Sequence, residues 1–577
     1  MSSLGPIILP SHTAKAERIY LHPSTLAKRG TVLLFLAILA FYFYGLGHLP
    51  FVGPDEPRYA QVAREMLLRG DLVTPTLGGY TWFEKPALSY WMMSLSFKMF
   101  GVTEWAARLP SAISGVLTIV AVFIMSRRVD AVRDPANNLQ GYAFYSIIAA
   151  ATMMGIIVFS QAASFDIVLT MTTTWALALY VLNDLGEHSG ESEGSRNGLL
   201  AGFYIFIGLS LLAKGLIGIV MPVGILSLHH LFQRRLPGRK TLTSMVWGLP
   251  LALIVAGTWY GPVIWRHGWL FIDQFFIQHH FARYVSNKYH HAQPVYYYLI
   301  VVPLLTLPWT AFLIDGLRHF KSWLWRPKIA VEEGTERSLN LLLGFALAWF
   351  LFPLIFFSFS GSKLPGYILP ILPAAALIIG RQLWRLPVGS GGWALKTTGA
   401  LYLLFAIGLL GYSRTTGNLP FTLALVLALP LLVAGSSVFL FRRKPSKSIA
   451  FMAAITVFTL VVVMRFVAPA FAERESSRRL LQLAAARGYS QTAIYGMQRS
   501  DRTPEFYAAG RIVYGGDGEP VMYEGPNQLI EECRKRKEVL LAFVAVGEVN
   551  QLSEALSVQT EVIGDNGRYA IVAVHPR

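Results

Sequence analysis

Two carboxylates, Asp55 and Asp166, and the cations on the same side of the membrane are the residues of this chain whose types and spacing could do chemistry. Asp55 follows Pro54 just after a long apolar run, which sets an acid at a membrane boundary on a fixed backbone approach. Asp166 ends the short turn 161–166 between two apolar runs, a turn suited only to positioning. Arg58, Lys85, Arg283, Lys288 and Lys363 fall on that same outer side, where the positive-inside tendency should remove idle cations. An anionic substrate accounts for them: guanidinium and ammonium groups beside a helix start can hold a phosphate or diphosphate and stabilise it as a leaving group. Glu84, His279 and His280 could ligate a divalent cation, zinc rather than magnesium for carboxylate and imidazole donors. Adjacent histidines point to different faces of a helix, so spacing supports at most one of the pair beside Glu84.

The elements that must position these residues are mostly membrane spans. Of 577 residues, 54% are hydrophobic and only 14% charged, against roughly 25% charged in soluble domains. The net charge of +17 resides largely in short loops between spans, so nucleic acid is set aside as a partner. The lone cysteine, Cys533, excludes an intrachain disulfide and any Cys-based metal site, and reads as a packed small hydrophobe.

The basic segment 1–30 keeps the amino terminus in the cytoplasm, and the span 31–49 delivers the loop 51–91 outside. In that loop a helix capped by Asp55, with Pro57 in its first turn, runs to Gly70. Tyr59, Val62, Ala63, Met66 and Leu67 form its apolar stripe, as in a helix lying on a membrane surface. A second run, 87–100, opened by Phe83, Glu84, Lys85 and Pro86, is too short to span and should also lie at the interface. Further spans fall at 110–126, 142–160, 167–182, 198–212, 216–232, 242–265, 294–317, 340–359, 368–383, 396–412, 420–441 and 449–471. Together they give about 13, with the acidic linker 183–197 an exception to the charge rule and 266–293 a second outer loop. Residues 1–471 thus form a transmembrane domain whose first outer loop is 50–109, and 472–577 a small α/β domain outside the membrane. That domain carries helices at 478–487 and 528–537 and strands at 492–495, 539–546 and 568–574, with no Gly-rich phosphate loop and no catalytic-triad spacing.

Several motifs occur in order: GPDEPRYAQVAREM, WFEKPALSYW, RLPSAISG, SFDIVLT, HHFARY and FSFSGSKLPGYILP. Together they resemble the integral membrane glycosyltransferases of the GT-C class, and more narrowly the protein O-mannosyltransferase-like branch that contains the lipid A aminoarabinose transferases. The resemblance implies a polytopic α-helical GT-C fold with a periplasmic carboxyl-terminal domain. It also implies transfer of 4-amino-4-deoxy-L-arabinose from undecaprenyl phosphate to a lipid A phosphate at the periplasmic face of the bacterial inner membrane, by a monomer among membrane lipids. By motif, Asp55 matches the family's first-loop acid and Asp166 its second; Lys85 and Arg283 match cations that hold the carrier phosphate. Tyr367 matches a residue lining the same pocket, and Glu84 and His280 match positions implicated in metal binding. His279 stands where many relatives have Glu.

Another polyprenyl-phosphate-sugar transferase, with a protein hydroxyl or another lipid as acceptor, is the alternative within the class. A lipid transporter is the alternative outside it, and would show paired broken spans with charges near the midplane. Only the break at Lys214 and Gly215 hints at that. For a phosphate acceptor Asp55 would stabilise an oxocarbenium-like centre or the sugar amine; for a hydroxyl acceptor it would act as general base.

Overall fold

A computed structural model describes residues 25–133, 141–188, 193–282, 293–324, 334–386, 392–416, 419–441, 444–497, 502–553 and 558–576. Among them, nine helices are long and apolar enough to cross a membrane. Two bent helix pairs would bring the crossings to at most eleven, fewer than the 13 or so expected, and the two shorter apolar helices, Leu33–Phe43 and Ile217–Gln233, fall below the length of a span. The first helix is α1 (Thr25–Phe43). The polar loop that follows folds into α2 (Asp55–Arg69), the hairpin β1 (Thr76–Leu77) and β2 (Tyr80–Thr81), and α3 (Leu88–Phe100). Next come α4 (Glu104–Arg133), the pair α5 (Tyr142–Thr152) and α6 (Met154–Ser160), α7 (Phe165–His188), α8 (Glu193–Lys214), α9 (Ile217–Gln233) and α10 (Arg239–Phe271).

Helix α2 ends at Gly70 as expected, in the left-handed region at φ 65 with its N–H on the Leu67 carbonyl. Its start differs. Pro54 occupies the N-cap position and Asp55 is the first helical residue, with its carboxylate drawn to Arg58 one turn on. A charge-assisted bond to a guanidinium is stronger than an ordinary cap. The apolar stripe is buried, but against protein: Tyr59, Val62, Ala63 and Met66 pack with Tyr90, Met93 and Phe97 of α3 and with Phe506 of the soluble domain. The loop that returns from α2 is a two-glycine hairpin, Gly78 and Gly79 both taking positive φ. Glu65 accepts from the N–H groups of both glycines and from the Thr76 hydroxyl.

Three expected elements differ. Residues 142–160 do not form one straight span: the chain bends by 55° at Met153. Residues 294–317 likewise fold back, the helices Tyr297–Leu305 and Thr310–Arg318 meeting at 117°. The supposed loop 266–293 is helical as far as Ala282, because α10 continues past a break at Gly268 into a π-helix, Ile272–Ala282. Several buried hydroxyls in the bundle, such as those of Thr118, Ser126 and Thr174, bond back to carbonyls four residues earlier, whereas Thr173, Ser210 and Thr398 have no partner among the described residues.

The last span, Pro445–Glu475, runs across position 471. The soluble part is a five-stranded mixed sheet of β3 (Ile494–Met497), β4 (Met522–Tyr523), β5 (Leu540–Ala545), β6 (Val558–Asp565) and β7 (Tyr569–Pro576), in the order β4-β3-β5-β7-β6. Successive residues of β5 serve opposite faces. Leu540, Ala542 and Val544 pack with the helix Pro526–Arg536, while Leu541 and Phe543 pack with Arg478–Ala486. Cys533 lies buried in the first of these cores.

Candidate active site

The two most enclosed spans, Pro365–Arg385 and Phe165–Gly186, are 94% and 78% buried in the bundle, and both begin at one cavity. That cavity of about 650 Å³ is walled by α2, the turn before α3, the turn 162–166, the end of α8, the π-helix, the segment around Tyr367 and the soluble domain. Residues seated at the ends of packed spans are held more rigidly than loop residues, which suits groups that must meet a substrate in fixed geometry.

The charges lining it come as acid–cation pairs. Arg58 donates from Nη2 to Asp55 Oδ1 at 2.7 Å and from Nε to the Pro54 carbonyl at 3.0 Å. The same guanidinium lies 3.7 Å from Glu84 and 5.6 Å over the Trp82 ring. Burial by itself would lower its pKa, but the carboxylates of Glu84 and Asp55 outweigh burial and raise it, so Arg58 is held charged. Lys85 donates to Glu84 Oε1 at 2.7 Å. Lys214, the last residue of α8, is paired with Asp166 and stands 4.6 Å over the Tyr367 ring. From the soluble domain Arg502 bonds Glu519 at 2.6 Å and Glu505 at 2.7 Å. Burial pushes the Glu505 carboxyl up against the pull of Arg502. The Tyr59 phenol is pushed well above its usual value, first by burial and then by Asp55 and Glu84, and stays protonated.

Glu56, next to Asp55, belongs to the framework. Arg108 donates to its two oxygens at 2.8 and 2.9 Å and to the carbonyls of Leu46, Leu49 and Pro50, and the Ala163 N–H completes the shell. This buried knot ties the start of α2 to the end of the first span and to the turn that presents Asp166.

Of the residues expected from sequence, Asp55, Arg58, Glu84, Lys85, Asp166, His279 and Tyr367 line the cavity together. Lys363 does not: its ammonium is buried and donates to the carbonyls of Gln293 and Ser360, so it braces the loop instead of facing substrate. Arg283 and the side chain of His280 lie outside the described residues. Sequence reasoning missed Lys214, although an outer-face lysine at a break between spans was the available signal. It also missed Arg502 and Glu519, which come from a domain with no recognisable motif.

Of the expected metal ligands, only the Glu84 and His279 side chains are among the described residues. No three of their His, Cys, Asp and Glu side chains gather into a ligand set. The Glu84 carboxylate is already bonded to Lys85 and close to Arg58, a cationic setting that opposes a second cation.

Residues 28–322, which hold most of the cavity's lining, match the family described as dolichyl-phosphate-mannose-protein mannosyltransferase. The chain belongs to this family. The undecaprenyl phosphate-alpha-4-amino-4-deoxy-L-arabinose arabinosyl transferase of Pseudomonas paraeruginosa (strain DSM 24068 / PA7) is 31% identical to it over 410 residues, 68% of each chain. The protein of that name from Pseudomonas aeruginosa (strain UCBPP-PA14) is 32% identical over 411 residues, again 68% of each. Among solved structures, ArnT from Cupriavidus metallidurans bound to undecaprenyl phosphate aligns with a TM-score of 0.77 at 25% identity, covering 94% of this chain and 98% of that one. Membership of the mannosyltransferase family makes the chain a multi-pass membrane glycosyltransferase with a GT-C-like fold, drawing on a polyprenyl phosphate-linked sugar.

Proposed function

We propose that the chain transfers 4-amino-4-deoxy-L-arabinose from undecaprenyl phosphate to the phosphate groups of lipid A. The observation that carries this reading is the cavity itself: acids and cations interleaved at the ends of the two most enclosed spans, in a fold shared with a carrier-bound ArnT. An oxygen of the acceptor phosphate, ionised at neutral pH, attacks the anomeric carbon while the bond to the carrier-phosphate oxygen breaks. The electron pair of that bond leaves on undecaprenyl phosphate, and the single displacement inverts the anomeric configuration. No general base is needed.

Lys85, Lys214 and Arg58 are each paired with a carboxylate, so a donor phosphate competes with those carboxylates for their charge. Asp55, released from Arg58, then faces the oxocarbenium-like carbon or the sugar ammonium. Arginine and lysine runs such as Arg127 and Arg128 lie at the other ends of the spans, which supports a cavity at the periplasmic face of the inner membrane.

The test is lipid A mass spectrometry in cells lacking their own aminoarabinose transferase, complemented with this protein at matched expression. An added aminopentose that disappears with Asp55→Ala is the expected result; Lys85→Ala and Lys214→Ala should lower transfer about 10²–10³-fold with membrane insertion intact. No added sugar from inserted protein with donor present would move the assignment to another polyprenyl-phosphate-sugar transferase. Normal transfer by both lysine variants would remove the phosphate clamp.

A further inference from the structure

At the opposite end of the bundle, a second cavity of about 730 Å³ lies among α7, α8, α9 and α10. Asp166 stands at the first turn of α7 in the candidate active site, whereas Tyr180, fourteen residues later on the same helix, lines this cavity. The two sites are therefore roughly 21 Å apart along the helix axis.

Phe203, Ile207, Leu226 and Leu249 give the cavity apolar walls, and Val223 and Met245 on its rim are exposed, so it opens sideways to bilayer hydrocarbon. One end is polar and basic, with Arg234, Arg235, His230 and Thr241. No carboxylate lines it; the nearby Asp184 is neutralised by Arg235, which bonds it at 2.5 Å. Arg234, exposed at the C-cap of α9 with φ 48, has no side-chain partner among the described residues. His230 is buried, with Nε2 2.5 Å from the Tyr180 hydroxyl and Nδ1 without a hydrogen-bond partner among the described residues. An exposed guanidinium and a buried imidazole nitrogen without a partner, at the mouth of an apolar, laterally open cavity, match a phosphodiester on acyl chains.

We propose that this cavity binds one anionic phospholipid of the leaflet opposite the active site, its phosphate held by Arg234 and His230 and a chain lying along the Phe203 and Leu249 walls. The full-length protein, delipidated in detergent, would be offered equal phosphatidylglycerol and phosphatidylethanolamine and read by native mass spectrometry. Retention of one phosphatidylglycerol with about tenfold preference is expected. Arg234→Asn, which suits the left-handed cap, should reduce that preference below about threefold. Met245→Trp, which fills the mouth, should abolish retention while the thermal melt is unchanged. Equal retention of the two lipids by the wild type, or an undiminished preference in both variants, would sink the proposal and leave only diffuse surface attraction. Displacement of the lipid by millimolar inorganic phosphate would overturn it in favour of a soluble-anion site. Displacement by undecaprenyl phosphate but not by further phosphatidylglycerol would overturn it in favour of the carrier.

Discussion

Asp55 and Glu56 are neighbours at the start of α2, yet one is half exposed to the cavity and the other is locked to Arg108. Their substitution should separate the two roles. Glu56→Ala or Arg108→Ala strands a buried charge and should cost about 3–5 kcal/mol, read as a lower melting temperature in detergent. Asp55→Asn should leave the melt in place and remove transfer, since its carboxylate touches only an exposed edge of the framework. Equal destabilisation by both would make Asp55 structural. The cation-rich setting of Glu84 yields a second prediction at this scale: chelation should leave turnover unchanged, because Lys85, Lys214 and Arg58 supply the neutralising charge. A loss restored by added zinc would bring Glu84 and His279 back as ligands.

At the scale of elements, the site depends on how closely the Tyr367 segment approaches the start of α7. A Cβ on Gly366 would lie 2.0 Å from Asp166 Oδ2 and 2.9 Å from the Phe159 ring, so only glycine lets the acid and the Lys214–Tyr367 contact share this corner. Gly366→Ala should displace Asp166 and cut transfer about 10²-fold, with expression and span insertion retained. Wild-type activity in that variant would show that the position of Asp166 does not matter to the reaction. The π-helix belongs to the same argument. Without it, α10 would not carry His279 to the cavity wall.

For the molecule as a whole, the soluble domain forms part of the wall of the candidate active site. Its Tyr507 hydroxyl accepts from the Phe51 N–H at 2.8 Å and donates to Glu104 at 2.9 Å, and Tyr514 packs where a Cβ on Gly78 would stand. Through this docking Arg502 and Glu519 reach the cavity. Tyr507→Phe leaves the buried Phe51 N–H unsatisfied and takes one donor from half-buried Glu104, which keeps Arg478, and should loosen the domain by about 1–3 kcal/mol. Faster limited proteolysis between the last span and the sheet is the expected readout, and an unchanged rate would mean that the domain is held by its apolar contacts alone.

Hydropathy and charge bias by themselves determined the polytopic class, the approximate spans and the placement of Asp55, Asp166 and Lys85 on one and the same side, because transfer free energy acts on each segment whatever its neighbours do. The alternation of helix and strand likewise marked the soluble domain, and the apolar stripe of α2 was legible from its period. What that stripe packs against was not legible, because lipid and protein both reward an apolar face. Nor was the role of Lys363, whose buried carbonyl partners come from residues 293 and 360. Only the tertiary structure joined Lys214 to Asp166, set Glu56 apart from Asp55, and brought Arg502 to the site, since each depends on contacts between segments that are remote in sequence.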